Sequence, residues 1–441
     1  MERTSQATPD QSVLRLGIIG LGGYAGAHHE AARALERTGC LRLVATCDPA
    51  ADRFTERMAA WDFAGRGVRV FPDLRALLDG TTAELDWVVI PTPIPLHAEM
   101  HRACVERGLA VYLEKPPTLD PSELEMMINR DRSAPKATNV GFNFIIQPAR
   151  RALKARLLAG EFGELQEIHV HGIAGRPASY FQRNGWAGKL FSPDGRPLLD
   201  SCLGNAMAHS AHNALFWAGT RALQDWAAPQ EVRARLFRAH KIEGPDTVFV
   251  ECLTVNGVRL RLAMTHASPP GDDQWEDLVC SQARIRFVGV SHYEIYWRNG
   301  RIERREQPPF STVAENQRAY CEYLRGRASY PATTLAESRP FVHLNALMYL
   351  SARCVEDFPS GMVRTLGTGE EGGMFFSVDG LPTAMERFLV TGDWPDWSRH
   401  MGPAVAKPDD LPRLVETLRS PAFFRNVPAG DGLLGLRDDC S

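Results

Sequence analysis

Leu14-Arg-Leu-Gly-Ile-Ile19 is a short β-type run that breaks into Gly20-Leu-Gly22-Gly23-Tyr24-Ala25, and an Ala-, Leu- and Glu-rich stretch follows at once. Strand, glycine turn and helix in immediate succession constrain the fold more than any other feature of the chain. The pattern then repeats. A second strand over Leu41–Cys47 stops at Asp48-Pro49, and a helix is expected over 50–60. Short strands at 68–71, Trp87–Ile90 and Ala110–Leu113 alternate with helical stretches at 74–78 and 97–107. Alternation of this kind implies a doubly wound parallel sheet with helices on both faces, whose ligands bind at the carboxyl ends of the strands.

The later part of the chain reads differently. Runs at 248–255 and 258–265 flank Asn256-Gly257, and runs at 293–298 and 301–304 flank Asn299-Gly300. Both predict hairpins with type I′ turns. With runs at 167–174, 231–239 and 284–288 they give a mostly antiparallel sheet of about six or seven strands. Helices return at 313–325 and 338–353, and beyond about residue 357 the pattern dissolves into Gly and Pro around helical stretches near 381–389 and 411–418. The expected organisation is a disordered or extended N-terminus over 1–13, a dinucleotide-binding domain over 14–138, an α/β substrate-binding and oligomerisation domain over 139–356, and a C-terminal extension over 357–441.

The glycine turn has a chemical reading. Gly20 stands where the chain must turn sharply, and Gly22 where a side chain would keep a pyrophosphate from the backbone N–H groups; the helix N-terminus behind them favours phosphate charge. Gly23, Tyr24 and Ala25 complete the turn. Asp48 ends the second strand, where the dinucleotide fingerprint places a carboxylate for the ribose hydroxyls. An ordinary helix cap is the plainer reading of Asp48. A carboxylate there repels a 2′-phosphate, so NAD is favoured, with NADP the alternative.

Several pieces in order resemble the Gfo/Idh/MocA oxidoreductases, sugar and polyol dehydrogenases with an N-terminal Rossmann domain and a C-terminal α/β domain. They are Gly20-Leu-Gly-Gly-Tyr-Ala25 with His28, Cys47-Asp48-Pro49, Val89-Ile-Pro-Thr92-Pro93 with His97, Glu114-Lys115-Pro116, Val140-Gly-Phe-Asn143 and Thr333-Thr-Leu-x-x-Ser-Arg339. The resemblance covers about residues 14 to 355. It implies that Lys115 is a catalytic or substrate-orienting lysine beside the nicotinamide, with a cis bond to Pro116. It also implies that Thr92, Pro93 and His97 line the cofactor pocket, and that Glu114 lies near the nicotinamide ribose. Chemistry agrees on the lysine: removing hydride from a carbinol carbon also requires loss of the hydroxyl proton, which a lysine of lowered pKa accepts.

Where the family carries Asp, His and Asp at helical spacing, this chain reads Asn205, His209 and His212. Spacings of four and three put all three on one helix face. His209 matches the family histidine that assists proton transfer or holds the substrate hydroxyl, whereas Asn205 cannot act as a carboxylate base. Asn143 and Trp186 join these three as candidate substrate contacts, Trp186 because an aromatic plane among donors suits a sugar. A metal on His209 and His212 would need a third ligand that no clustered cysteines or H-E-x-x-H motif supplies, so none is expected.

Composition excludes other classes. With 50 Lys and Arg against 53 Asp and Glu the formal charge is −3, which disfavours nucleic acid and acidic membranes as partners. The longest stretch free of charged residues, 201–220, contains Asn205, His209, Ser210, His212 and Asn213 and is no transmembrane helix. Nine scattered cysteines without a C-x-x-C pair suit reduced thiols in a cytoplasmic protein. An open sheet needs its second face covered, by a partner subunit in a homo-oligomer (dimer or tetramer) or by the C-terminal extension. The expected activity is NAD(P)-dependent hydride transfer to or from a sugar, inositol or related polyol. Two rival readings share the architecture: redox-neutral, NAD-assisted glycoside cleavage, and a non-catalytic dinucleotide-binding sensor.

Overall fold

The computed structural model describes residues 13–367, 373–397 and 402–424. The chain divides into two compact units. The first runs to Glu161 and takes in Leu215–Trp226 and Glu306–Val342; the second comprises Phe162–Ala214, Ala227–Arg305 and the chain from His343 onward.

Six parallel strands form the first unit's sheet: β1 (Leu14–Ile19), β2 (Leu41–Cys47), β3 (Arg69–Phe71), β4 (Trp87–Ile90), β5 (Ala110–Leu113) and β6 (Asn139–Val140). Their order is β3-β2-β1-β4-β5-β6, so the winding reverses between β1 and β4, the switch point of a Rossmann sheet. β4 and β5 are buried at every position, as expected of strands covered on both faces. The helix Ala25–Glu36 buries Ala31, Ala32 and Leu35. Later in the chain, the helix Thr312–Leu324 adds Tyr320 and Cys321 to the same core as Leu16, Ile18, Trp87 and Tyr112.

The second unit is built on nine strands: β7 (Leu165–Ala174), β8 (Pro229–Arg238), β9 (Thr247–Thr254), β10 (Arg259–Thr265), β11 (Asp272–Cys280), β12 (Ala283–Val288), β13 (His292–Trp297), β14 (Ile302–Glu306) and β15 (Glu356–Asp357). They lie in the order β14-β13-β12-β11-β7-β10-β9-β8-β15. β10 runs parallel to β7 and β15 parallel to β8, while the β8–β9, β9–β10, β7–β11, β11–β12 and β12–β13 pairs are antiparallel. Seven of the nine are the strands expected from sequence. β11 is the one of substance that was not, because it opens Asp-Asp-Gln and carries Glu276 and Asp277 in its middle. Those charges are answered locally: Asn213 Nδ2 donates to Glu276 (2.8 Å), and Arg286 makes two bonds to Asp277 (2.8 and 2.7 Å).

Both Asn-Gly hairpins form, with a different turn from the one expected. Positive φ falls on Gly257 and Gly300 (85° each) and on neither asparagine. Gly257 N–H donates to Thr254 O and Thr254 N–H to Val258 O, a type I turn closed by a glycine bulge rather than a type I′ turn.

The segment beyond 357 contributes structure of its own. β16 (Val363–Gly367) and β17 (Met374–Val378) form a hairpin, and the helix Leu381–Thr391 lays Leu381, Met385, Phe388 and Leu389 against Phe237, Phe249 and Ala263 on one face of the nine-stranded sheet. Each such fully buried side chain contributes about 1.5–3 kcal/mol. Of the sequence expectations, residues 1–12 and Cys440 lie outside the described residues.

Candidate active site

The glycine turn is held from several sides. Gly20 has φ +112° and Gly23 +54°, conformations that favour glycine, and a side-chain carbon added at Gly23 would meet open space. Gly20 N–H donates to Cys47 O (2.7 Å), Leu21 N–H donates to Asp48 Oδ2 (2.9 Å), and the His29 ring bonds Gly20 O (3.0 Å). His29 stacks on Trp61 (4.5 Å), and burial pushes its pKa down to about 4. The Arg57 guanidinium reaches Leu21 O at 3.3 Å. Gly22 lacks a Cβ for a local reason: the Phe54 ring would stand 2.7 Å from it. The helix behind the turn carries no acidic residue in its first turn. An open cradle of N–H groups at a helix N-terminus fits a dinucleotide pyrophosphate. Asp48 spends one oxygen on Leu21 N–H and the other on Ala50 N–H (2.8 Å), and each retains a lone pair for a ribose hydroxyl.

Across the switch point, β4 ends in Pro91-Thr92-Pro93 and β5 in Glu114-Lys115-Pro116, and the Lys115–Pro116 bond is cis. His97 staples these two turns together. One ring nitrogen faces Thr92 O (2.7 Å), the other Pro116 O (3.0 Å) and Pro117 O (3.2 Å). Burial drives its pKa down, and these carbonyls oppose the shift. Expected as a wall of the cofactor pocket, His97 is in fact 1% exposed and acts on the turns. Thr92 Oγ1 donates to Met100 Sδ (3.3 Å). Lys115 is half-buried, and its N–H donates to Glu114 Oε2 (3.1 Å). Glu114 Oε1 takes a bond from the fully buried His28 Nε2 (3.0 Å), whose Nδ1 meets Gln317 Nε2 (2.9 Å).

Asn143 belongs to a neighbouring buried chain of amides. Its Oδ1 accepts from Tyr112 OH (2.8 Å) and Asn316 Nδ2 (2.6 Å), while Asn316 Oδ1 takes Asn139 Nδ2 (3.3 Å). Its carbonyl oxygen therefore serves the core, contrary to a simple substrate contact. Asn316 and Gln317 were not singled out in the sequence, where they sit in an unremarked helical stretch.

In the second unit, Asn205, His209 and His212 do not share one regular helix. Cys202–Ala206 is a π-turn, Met207 breaks the run (φ −104°, ψ 22°), and the α-helix starts at Ala208. Between 201 and 219 every residue is buried except Asn205, Ala206 and His209, so His209 and Asn205 are the polar pair left half-exposed. His212 is fully buried, and burial alone holds its pKa far below the ordinary range. It belongs to the packed side of the helix. Ser210 Oγ donates to Gln274 (3.2 Å), which with Asn213 docks the helix on the face of β11 opposite Trp275.

Trp186 is half-buried in a loop organised by Asn184 Oδ1, which accepts from Trp186 N (3.1 Å) and Ala187 N (2.8 Å). Asp200 Oδ2 accepts Gly188 N–H (2.6 Å) and so anchors that loop rather than lining a pocket. His169 and His171 point to the face of the sheet away from the 208–218 helix; His171 stacks on Trp275 (5.0 Å).

Sequence reading also passed over Lys154. Its buried ammonium donates to the Phe216, Trp217 and Gly219 carbonyls and so caps the C-terminus of the 208–218 helix. Burial pushes its pKa down to about 7, against the pull of Asp225. A buried lysine looks like any other in a Lys/Arg-rich helix, so sequence offered no signal. Among the described residues no cluster of three or more His, Cys, Asp or Glu stands ready for a metal, and no helix is long and apolar enough to cross a membrane.

Residues 14–142 match the model of the Gfo/Idh/MocA oxidoreductase family, NAD-binding Rossmann fold. The likeness to that family lies in the Rossmann domain of this chain. Its curated relatives include an inositol 2-dehydrogenase of Mycolicibacterium smegmatis, 33% identical over 38% of this chain and 47% of that protein. A dTDP-3,4-didehydro-2,6-dideoxy-alpha-D-glucose 3-reductase of Actinomadura kijaniata is 31% identical over 38% of the chain and 47% of its own length. The match thus spans about half the length of these relatives. Among solved structures, an oxidoreductase from Agrobacterium radiobacter in complex with NAD+, L-tartaric acid and magnesium superposes with TM-score 0.64 at 20% identity, covering 77% of this chain and 96% of that one. The WlbA dehydrogenase from Bordetella pertussis, in complex with NADH and UDP-GlcNAcA, gives TM-score 0.63 at 21% identity over 77% and 97%. The two-unit fold is therefore that of these oxidoreductases.

Proposed function

We propose that the chain is an NAD-dependent oxidoreductase acting on a CH–OH group of a sugar, inositol or related polyol. The observation that carries this reading is the glycine cradle, with Asp48 tied to Leu21, facing the Glu114-Lys115-Pro116 turn across the switch point. The turn Gly20, Gly22, Gly23, Tyr24 and Ala25 would take the pyrophosphate, Asp48 the adenosine ribose, and the Thr92-Pro93 and Glu114-Lys115 turns the nicotinamide end. Bound NAD would supply the hydride acceptor. Lys115 accepts the hydroxyl proton, and the His97 staple fixes the turn that carries it. Asn205 and His209 are the substrate-side residues of the second unit, being the polar pair its buried helix leaves half-exposed. Curated relatives that act on inositol and on a deoxysugar nucleotide support the polyol and sugar class.

The proposed location is cytoplasmic, in keeping with scattered cysteines that stand as free thiols in the described residues. We also propose a homo-oligomer, using the end of the large sheet away from the Leu381–Thr391 helix. There Arg284 and Arg304 are about half exposed, at 48% and 54%. The deciding experiment is a fluorescence titration with NAD+ and NADH, followed by a panel of inositols, sugars and nucleotide sugars read by NADH absorbance. Turnover with net NADH formation is expected. Substrate loss without net NADH would point to the redox-neutral rival, and dinucleotide binding with no turnover on any class to a sensor.

A further inference from the structure

We infer that Gln317 and His28 form a relay that fixes the Glu114 carboxylate at the nicotinamide end of the dinucleotide site, so that the protein binds the cationic NAD+ selectively over NADH. The inference rests on the cofactor reading above and goes beyond it, to the redox form that the site prefers.

The relay lies wholly inside the first unit. A side-chain amide nitrogen can only donate, so the 2.9 Å contact from Gln317 Nε2 makes His28 Nδ1 an acceptor. The ring proton then sits on Nε2 and donates to Glu114 Oε1 at 3.0 Å. The opposite amide orientation would demand either a doubly protonated ring at a position with no exposure to water or a Glu114 carboxyl donating to Nε2, and it would give up the donor to the carboxylate. Glu114 Oε2 meanwhile accepts Lys115 N–H at 3.1 Å. The carboxylate, 5% exposed, thus receives a donor on each oxygen and is held in one orientation. Space is shaped around it too: a side-chain carbon at Gly141 would come within 2.7 Å of Glu114 Oε1.

The position of this charge gives it a task. Asp48 follows β2 on one side of the switch point and Glu114 follows β5 on the other, so adenosine on Asp48 leaves the nicotinamide end at Glu114. Oxidised nicotinamide carries a positive charge that reduced nicotinamide lacks. A fixed anion beside the ring therefore favours one redox form, whereas a purely steric role would favour neither.

Replacing Gln317 with Leu removes the donor, frees His28 to place its proton on Nδ1, and turns a lone pair toward Glu114, so that the carboxylate loses the bond that holds it in place. The test measures dissociation constants of NAD+ and NADH by fluorescence for the wild type, Gln317→Leu and the near-isosteric Glu114→Gln. Both variants are expected to weaken NAD+ roughly tenfold, about 1.4 kcal/mol, with NADH changed less than about twofold. Equal losses for the two dinucleotides, or no loss for either, in the Glu114→Gln protein would overturn the relay, even if Gln317→Leu folds poorly. A wild-type protein that binds neither dinucleotide would overturn the cofactor reading itself, and the relay with it.

Discussion

Two buried histidines, one in each unit, are treated differently by the fold. His97 is surrounded by three carbonyls that hold its ring between two turns, and its burial is opposed by those bonds. His212 sits in the packed side of a helix, and burial alone sets its titration. The same residue type fastens two turns in one place and is packed into the buried side of a helix in the other. What separates them is what the backbone offers: strand ends and Pro-rich turns expose carbonyls, whereas a regular helix consumes its own. In the proposed site the chemistry falls at the strand ends of the first unit, and Asn205 and His209 are its candidates in the second.

The largest effect should come from the strand-end side. Lys115→Met removes the ionisable group at similar length, and turnover should fall by roughly 10² to 10⁴, the usual worth of a positioned acid or base. The NAD+ dissociation constant, measured in parallel, should shift little. Turnover near the wild-type rate would remove the lysine from the chemistry.

On the helix side, the contrast between two histidines four residues of chain apart or fewer is the sharper instrument. His209→Asn should lower turnover roughly tenfold if it orients a substrate hydroxyl, with a rise in KM. His212→Leu should leave kcat/KM within about twofold, because the side chain is wholly buried whereas Asn205 and His209 are the half-exposed pair. If His212→Leu proves the more damaging of the two, the division between a half-exposed His209 and a buried His212 fails.

The smallest effect concerns the far end of the cofactor. Asp48 is shared between holding the glycine turn and receiving a ribose, so Asp48→Ala should narrow the preference for NAD over NADP by a few-fold and lower the melting temperature slightly. A wild type that binds NADP more tightly, in a fluorescence titration of both, would reverse the assignment of the carboxylate.

How far these features were legible in the sequence follows from how local they are. Gly20, Asp48 and Glu114-Lys115-Pro116 stand at the ends of short strands, and a strand end declares itself by a run of β-branched residues that stops at Gly, Pro or Asp. The hairpins at Gly257 and Gly300 were equally visible, although an Asn-Gly pair does not say whether one residue or two will take positive φ. The π-turn and the break at Met207 were not visible, since ideal helical spacing cannot register one inserted residue. β11 was missed because its acidic residues take hydrogen bonds from partners in other elements. Gln317 and Lys154 were missed for the same reason: each acquires meaning only from a group brought to it by the fold.

The bond between His28 and Gln317 spans 289 residues of chain. At synthesis rates of about 5–20 residues per second, roughly 15 to 60 s separate the emergence of the two partners from the ribosome. The six strands of the first sheet are complete by Val140, long before the 312–324 helix that supplies Tyr320 and Cys321 to the core around them. During that interval the nascent chain carries an unfinished apolar surface on which later segments, or a chaperone, can settle. High contact order of this kind slows folding at a given stability. In this protein the wait falls on the element that also tunes the dinucleotide site, so a prematurely terminated chain would retain the glycine cradle and lack its electrostatic setting.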